Sequence, residues 1–230
     1  MTQLIITSDE HIGHGKVNAL EAAGRRTGVL HLCKRPFDTL DEMKRVLIDR
    51  HNAVVPRGRG TLTVHVGDWF WHNVSLEEAL DYIHALNGRH GFLFGNHDEF
   101  MTKYGKFLVD AGHLDFVYGE NQAGGAKIFR HQNRLLTVDH FARRVWQGSH
   151  KEHGHVYGHS HNGLPGLGKS FDIGVDGHDF YPWTIEDIWT RLDQMSQHHT
   201  VDNTGRPDEK DNVNETVLYR GGDFKENFRP

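Results

Sequence analysis

Short runs of Leu, Ile, Val and Phe recur at Leu4–Thr7, Thr61–Val66, Phe92–Phe94, Phe116–Tyr118, Lys127–Phe129, Leu135–Val138, His155–Tyr157 and Ser170–Val175. Their length and their β-branched and aromatic content predict strands. Between several of them lie helical patterns with recognisable starts. Thr39 with Glu42, Ser75 with Glu78, and Thr184 with Asp187 have the spacing of a capping box, and they predict helices over about Leu40–Asn52, Leu76–Leu86 and Ile185–Met195. Strands alternate with helices early and follow one another later, which is the pattern of an α/β layered domain with mixed sheets.

Two stretches stand outside this pattern. Gly13–Lys34 is a long excursion between the first strand and the first helix, and it predicts a wall of a pocket. From Thr200 to Pro230 the sequence is polar and rich in Gly, Asn and Asp, with only Thr216–Tyr219 resembling a strand. The expected organisation is therefore one folded domain over residues 1–198 and a polar C-terminal tail over 199–230.

Composition narrows the choice of function. With 37% apolar residues in 230, the chain can bury a sizeable core as one large domain. The net charge of -5 gives no basic footprint for holding long nucleic acid through its phosphates. Cys33 is the only cysteine, which rules out a disulfide framework within the chain. No membrane span is evident, and Met1–Thr7 lacks the basic and apolar regions of a secretory signal, so a cytoplasmic location is the expectation. Twenty histidines are a large excess for a chain of this size. Histidine is the commonest metal ligand, but most copies in any chain lie at the surface, so position has to decide which of them matter.

Five polar clusters each follow directly on a strand-like run. They are Asp9-Glu10-His11, Gly67-Asp68, Gly95-Asn96-His97-Asp98, Asp139-His140 and Gly158-His159-Ser160-His161. In α/β sheets, ligands gather beyond the carboxyl ends of the strands, so clusters spread over 150 residues can converge on one edge. The glycines suit a sharp turn out of the sheet. Carboxylates, an amide oxygen and imidazoles with no thiolate suit Mn²⁺, Fe or Zn²⁺, and the set is too rich in imidazole for Ca²⁺.

In this order, Asp-x-His, Gly-Asp, Gly-Asn-His-Asp, a lone His after a strand and Gly-His-x-His resemble the calcineurin-like metallophosphoesterases. The resemblance covers about residues 4 to 190 and extends to Arg35-Pro36-Phe37 and Asp139–His161, which are similar to the small single-domain bacterial and bacteriophage members. It implies two mixed β-sheets packed face to face and flanked by helices. It also implies two divalent metal ions, with Mn²⁺ expected and Fe, Zn²⁺ or Ni²⁺ as alternatives. Asp9, His11, Asp68 and His161 would hold one ion, and Asp68, Asn96, His140 and His159 the other, with Asp68 as the bridge. His131 also follows an apolar run, but Arg130-His131-Gln132-Asn133 reads as a hairpin turn, so His140 is preferred.

The implied activity is hydrolysis of phosphate esters, with phosphodiesters ahead of monoesters or nucleotide pyrophosphates. A hydroxide shared by the metals would attack phosphorus while His97 protonates the leaving oxygen. Asp98, its neighbour in sequence, is the candidate carboxylate partner. The Asp-Arg-Gly element of the protein Ser/Thr phosphatases is absent, because Gly67-Asp68 is followed by Trp69-Phe70-Trp71-His72. Those aromatics can stack on a base or pack in the core. Arg143, Arg144, Trp146 and His150 are candidate substrate contacts. The expected partner is a small phosphate ester or nucleotide. The non-enzymatic alternative is a metalloprotein that binds such a ligand without cleaving it.

Overall fold

The computed structural model describes residues 3–15 and 28–195. In chain order its strands are β1 (Gln3–Thr7), β2 (Thr61–Val66), β3 (Arg89–Leu93), β4 (Phe116–Tyr118), β5 (Lys127–His131), β6 (Arg134–Val138), β7 (Gly154–Tyr157), β8 (Ser170–Asp172) and β9 (Trp183–Thr184). The helices are α1 (Val29–Leu32), α2 (Leu40–Val54), α3 (Leu76–Ala85), α4 (Glu99–Asp110) and α5 (Ile185–Gln194). One sheet has the order β4-β3-β2-β1-β9 and the other β5-β6-β7-β8. Both are mixed. β1 to β4 run parallel with β9 antiparallel at the edge, and β6, β7 and β8 run parallel with β5 antiparallel to β6.

The period-two alternation of the strands divides the core. Val64 and Val66 of β2 and Leu93 of β3 share one buried cluster with Leu136 and Val138 of β6, Val156 of β7 and Phe171 of β8, joined by Trp189 and Leu192 of α5. The two sheets thus meet through their apolar faces. Phe92 of β3 belongs to a second cluster with Met43 and Leu47 of α2, Ile83 of α3 and Phe100, Met101 and Leu108 of α4. Truncating any one of these to Ala would cost about 2–5 kcal/mol.

The three predicted helix starts are in place. Thr39 and Thr184 accept the amides of Glu42 and Asp187, and Ser75 with Glu78 forms a complete capping box. Helix α4 is an addition to the sequence reading. Its N-cap residue, Asp98, makes no side-chain cap hydrogen bond, and Gly105 interrupts its interior, where it packs against Val117. The predicted strand over 170–175 stops at Asp172, because Gly174 turns to bridge Ser8 and Val175–Gly177 forms a 3-10 turn. Residues 16–27 of the expected pocket wall lie outside the described residues. So does the expected tail over 199–230, with Thr216–Tyr219. Among the described residues no helix is long and apolar enough to cross a membrane.

Candidate metal centre

Because β1, β2 and β3 are parallel in one sheet and β6 and β7 in the other, the five polar clusters leave the strands at one edge. The loops there are tied to one another within each sheet, and by the last of these bonds across the two sheets. Ser8 Oγ donates to Val66 O at 2.6 Å, Gly158 N donates to His140 O at 3.1 Å, and His159 N donates to the Asp9 carboxylate at 2.9 Å. Asp9, His11, Asp68, His159 and His161 all have left-handed backbone, with φ between 46° and 67°. For a residue with a Cβ that conformation costs roughly 1–2 kcal/mol. Such strain persists only where surrounding contacts hold it, and it concentrates at functional sites.

Two groups of ligand atoms result, each with its members within 4.8 Å of one another: Asp9, His11 and His161, and Asp68, His140 and His159. Asn96 joins the second group. Its Oδ1 lies 3.0 Å from His140 Nε2 and 2.8 Å from His159 Nδ1. Neighbouring ligand atoms in an octahedral shell with bonds near 2.1 Å sit about 3 Å apart, which matches this spacing.

The imidazoles are oriented from behind. His140 Nδ1 donates to Val66 O at 2.8 Å, which leaves Nε2 with its lone pair facing Asp68. His161 Nδ1 lies 2.7 Å from Asp176 Oδ2. Asp176 is held in turn by Arg35, through Nε at 2.7 Å and Nη2 at 2.8 Å, while the same guanidinium donates to the carbonyls of Asp9 and Glu10. Such outer partners fix the tautomer and ring angle of a ligating histidine.

The residues fit a pair of cations. His11 is buried and neither of its ring nitrogens has a hydrogen-bond partner. Its Nε2 stands 3.9 Å from Asp9 Oδ1 and 3.6 Å from Asp68 Oδ2, beyond hydrogen-bond reach. Burial lifts the Asp9 carboxyl to about 7, with His140 and His161 opposing the rise. Burial holds His11 well below the ordinary imidazole range. For His161, burial is outweighed by its hydrogen bonds to Asp176 and Cys33 and by the charge of Asp9, and its pKa rises to about 10. A cation there would hold the buried Asp9 carboxyl ionised, accept the lone pair that neutral His11 already presents, and displace a proton from His161. The glycines leave room for these groups. A Cβ at Gly95 would stand 2.5 Å from Asp68 Oδ1, one at Gly67 2.4 Å from His140 Nδ1, and one at Gly158 2.4 Å from Asp9 Oδ2.

Beside the ligands lies a cavity of about 500 Å³, lined by His11, His14, Cys33, Asp68, His97 and His161 among others. His97 is half-buried, with its amide on Asp68 Oδ1 at 2.9 Å and its ring 4.9 Å from that of Trp71.

All seven expected ligands and His97 are brought together, but the remaining expected site residues are not. Asp98 does not partner His97. Its fully buried carboxylate accepts the backbone amides of Gly95, Asp68 and Trp69, so the residue braces two ligand loops. Trp146 is buried against His155, with Nε1 donating to His153 O, and is core. Arg143 is ion-paired with Asp139, and neither it nor Arg144 nor His150 is among the residues lining the cavity. Of the aromatic run, Trp69 and Phe70 are core. Trp71 stacks at 3.7 Å on His14, a residue the sequence reading passed over. Asp176 was passed over as well, although it directly follows the Ser170–Val175 run, the same signal that marked the other clusters.

No family model matches the sequence. An uncharacterized protein of Methanocaldococcus jannaschii is 29% identical over 104 residues, 45% of this chain. The match spans 51% of that relative's length. Among solved structures, a protein of unknown function from Aquifex aeolicus superposes with a TM-score of 0.57 at 18% identity, over 83% of this chain and 100% of the other. That likeness bears on the fold alone.

Proposed function

We propose that the chain is a phosphoesterase dependent on two divalent metal ions and acting on phosphodiesters, with the calcineurin-like metallophosphoesterase sandwich as its fold. One observation carries the reading. The two oxygens of Asp68 face different donor groups, Oδ2 toward His11 Nε2 at 3.6 Å and Oδ1 toward His140 Nε2 at 3.6 Å. A structural metal site needs no such shared carboxylate.

Asp9, His11, Asp68 and His161 would hold one ion, and Asp68, Asn96, His140 and His159 the other. Bound there, two ions such as Mn²⁺ supply Lewis acidity to a phosphoryl group and to water. A neutral Asn96 in place of a third carboxylate keeps the loaded site positive, which suits a phosphate anion. His97, on the cavity wall and outside both ligand groups, donates a proton to the leaving oxygen. The ring of Trp71 and the hydrogen bond from the His97 backbone amide to Asp68 Oδ1 hold it there. A cavity of about 500 Å³ accepts a phosphate with a nucleoside-sized group attached.

The test is reconstitution of chelated protein with Mn²⁺, followed by metal analysis and assays on a bis-aryl and a mono-aryl phosphate. Two ions per chain and faster turnover of the diester are expected. Fewer than one ion per chain would sink the metal assignment. Two ions without hydrolysis would leave a binding metalloprotein, and preference for the monoester would move the substrate class to phosphomonoesters or pyrophosphates.

A further inference from the structure

A third group of ligand atoms lies against the first and shares a residue with it. A ligand atom of each of Cys33, His161 and Asp176 lies within 4.8 Å of the other two. We propose that these three residues form a separate site for a thiophilic divalent cation, Zn²⁺ or Cd²⁺, and that its occupation inhibits the neighbouring centre by engaging His161.

The donor set argues for a different cation from the one next door. The dinuclear set contains carboxylates, an amide oxygen and imidazoles. Cys33 adds a thiolate, which favours zinc and cadmium over manganese. Zinc bonds of about 2.0–2.3 Å in a tetrahedron put ligand atoms roughly 3.3–3.8 Å apart. Atoms as far as 4.8 Å apart must therefore close by up to about 1.5 Å, while His161 Nδ1 and Asp176 Oδ2, 2.7 Å apart, must open slightly. Cys33 can supply that movement, because it is half-buried and follows the four-residue helix α1 directly. Access exists, since Cys33 and His161 both line the 500 Å³ cavity, and that opening leaves a coordination position for water.

Charge does not forbid the site. A thiolate and a carboxylate offset a divalent cation, so the group with Arg35 carries a single positive charge; the cation displaces Arg35 Nη2 from Asp176 Oδ2, and the guanidinium remains on Oδ1 through its Nε at 2.7 Å. The cation takes the place of the proton that His161 Nδ1 shares with Asp176 Oδ2. The same ring is counted among the ligand atoms of the Asp9 and His11 group. Zinc on this side therefore pulls the ring away from that group, or withdraws electron density from its second nitrogen. In either case the first ion is held more weakly.

Binding is independent of the proposed reaction, whereas the inhibitory consequence rests on it, and the experiment separates the two. Protein loaded with Mn²⁺ is titrated with Cd²⁺ while the ultraviolet thiolate-to-cadmium charge-transfer band is followed. Cys33 is the only cysteine, so the band reports one site. The expected result is saturation at one Cd²⁺ per chain, no band in Cys33→Ser, and affinity weakened at least about tenfold in Asp176→Asn. Absence of the band in the unmodified protein, or unchanged affinity in Asp176→Asn, overturns the site. In parallel, Zn²⁺ is added to Mn²⁺-loaded protein during diester hydrolysis. Cys33→Ser should resist zinc at concentrations that inhibit the parent, and equal inhibition of both overturns the regulatory role. If no diester is cleaved at all, the proposed function fails while the cadmium titration still decides the site.

Discussion

Asp98 Oδ2 accepts the amide of Asp68 at 3.0 Å, so the carboxylate that follows His97 in sequence serves the aspartate proposed as the metal bridge. The same oxygen takes the amide of Gly95 at 2.5 Å, and Oδ1 takes that of Trp69. Loops from β2 and β3 are thereby fixed to each other. Asp98→Asn keeps one acceptor oxygen and presents an amide donor where three backbone donors converge. The expected outcome is a loss of metal affinity of about 10- to 100-fold, the usual effect of disturbing an outer support. Isothermal titration of the chelated variant with Mn²⁺ measures it. Unchanged affinity combined with slower turnover would return Asp98 to a role beside His97.

Much of the candidate site was legible because each ligand cluster announces itself as a polar break directly after an apolar run, and parallel strands carry such breaks to one edge. What escaped has physical reasons. Arg143, Arg144, Trp146 and His150 are close in sequence to His140, but the chain turns away after Phe141 to cover the outer face of β7, where Trp146 stacks on His155. Helix α4 was hidden because its N-cap aspartate spends its carboxylate on the metal loops, so the start signal looks like part of the site. The Arg35, Asp176 and His161 chain links residues 141 apart, and no local pattern encodes such a contact.

His140 and His131 both follow strand-like runs, and only one belongs to the site. His131 ends β5 at a hairpin whose next residue, Gln132, has φ 52°. His140 is fully buried with Nε2 facing Asp68. His140→Ala should remove the second ion and nearly all activity, whereas His131→Ala should keep both within about twofold. Metal content and turnover of the two variants side by side check this. Equal losses would displace His140 from the second group.

His97→Ala separates proton donation from metal holding. Both ions should stay bound, because His97 lies in neither ligand group. The rate on an ester with a poor alkoxide leaving group should fall on the order of 10²–10⁴, the usual worth of a placed proton donor. An aryl ester, whose phenolate leaves without help, should suffer far less. Turnover on one ester of each kind, with metal measured in the same sample, decides it. Equal losses on both esters would rule out the acid role.

Away from the candidate metal centre, two buried histidines should make stability depend on pH. Burial holds His51 at about 4 and His155 at about 3, against an ordinary value of 6.5. His51 Nε2 lies 3.0 Å from Asn87 O, and His155 Nδ1 lies 2.8 Å from Ser170 Oγ. Both are neutral in the folded chain and free to protonate once it unfolds. Above pH 6.5 neither state binds the proton, so their neutral burial carries no penalty. As pH falls below 6.5 the unfolded chain takes up the proton first. Each group then lowers the unfolding free energy by up to about 1.4 kcal/mol per pH unit, until the folded value is reached. His155→Gln cannot protonate, so its stability should fall less steeply between pH 6.5 and 4, by about that amount per unit, whatever its stability at pH 7. Urea unfolding of chelated parent and variant across this range, compared by slope, removes the contribution of metal loss. Parallel slopes would mean that His155 is already protonated in the folded protein or never becomes so in the unfolded one.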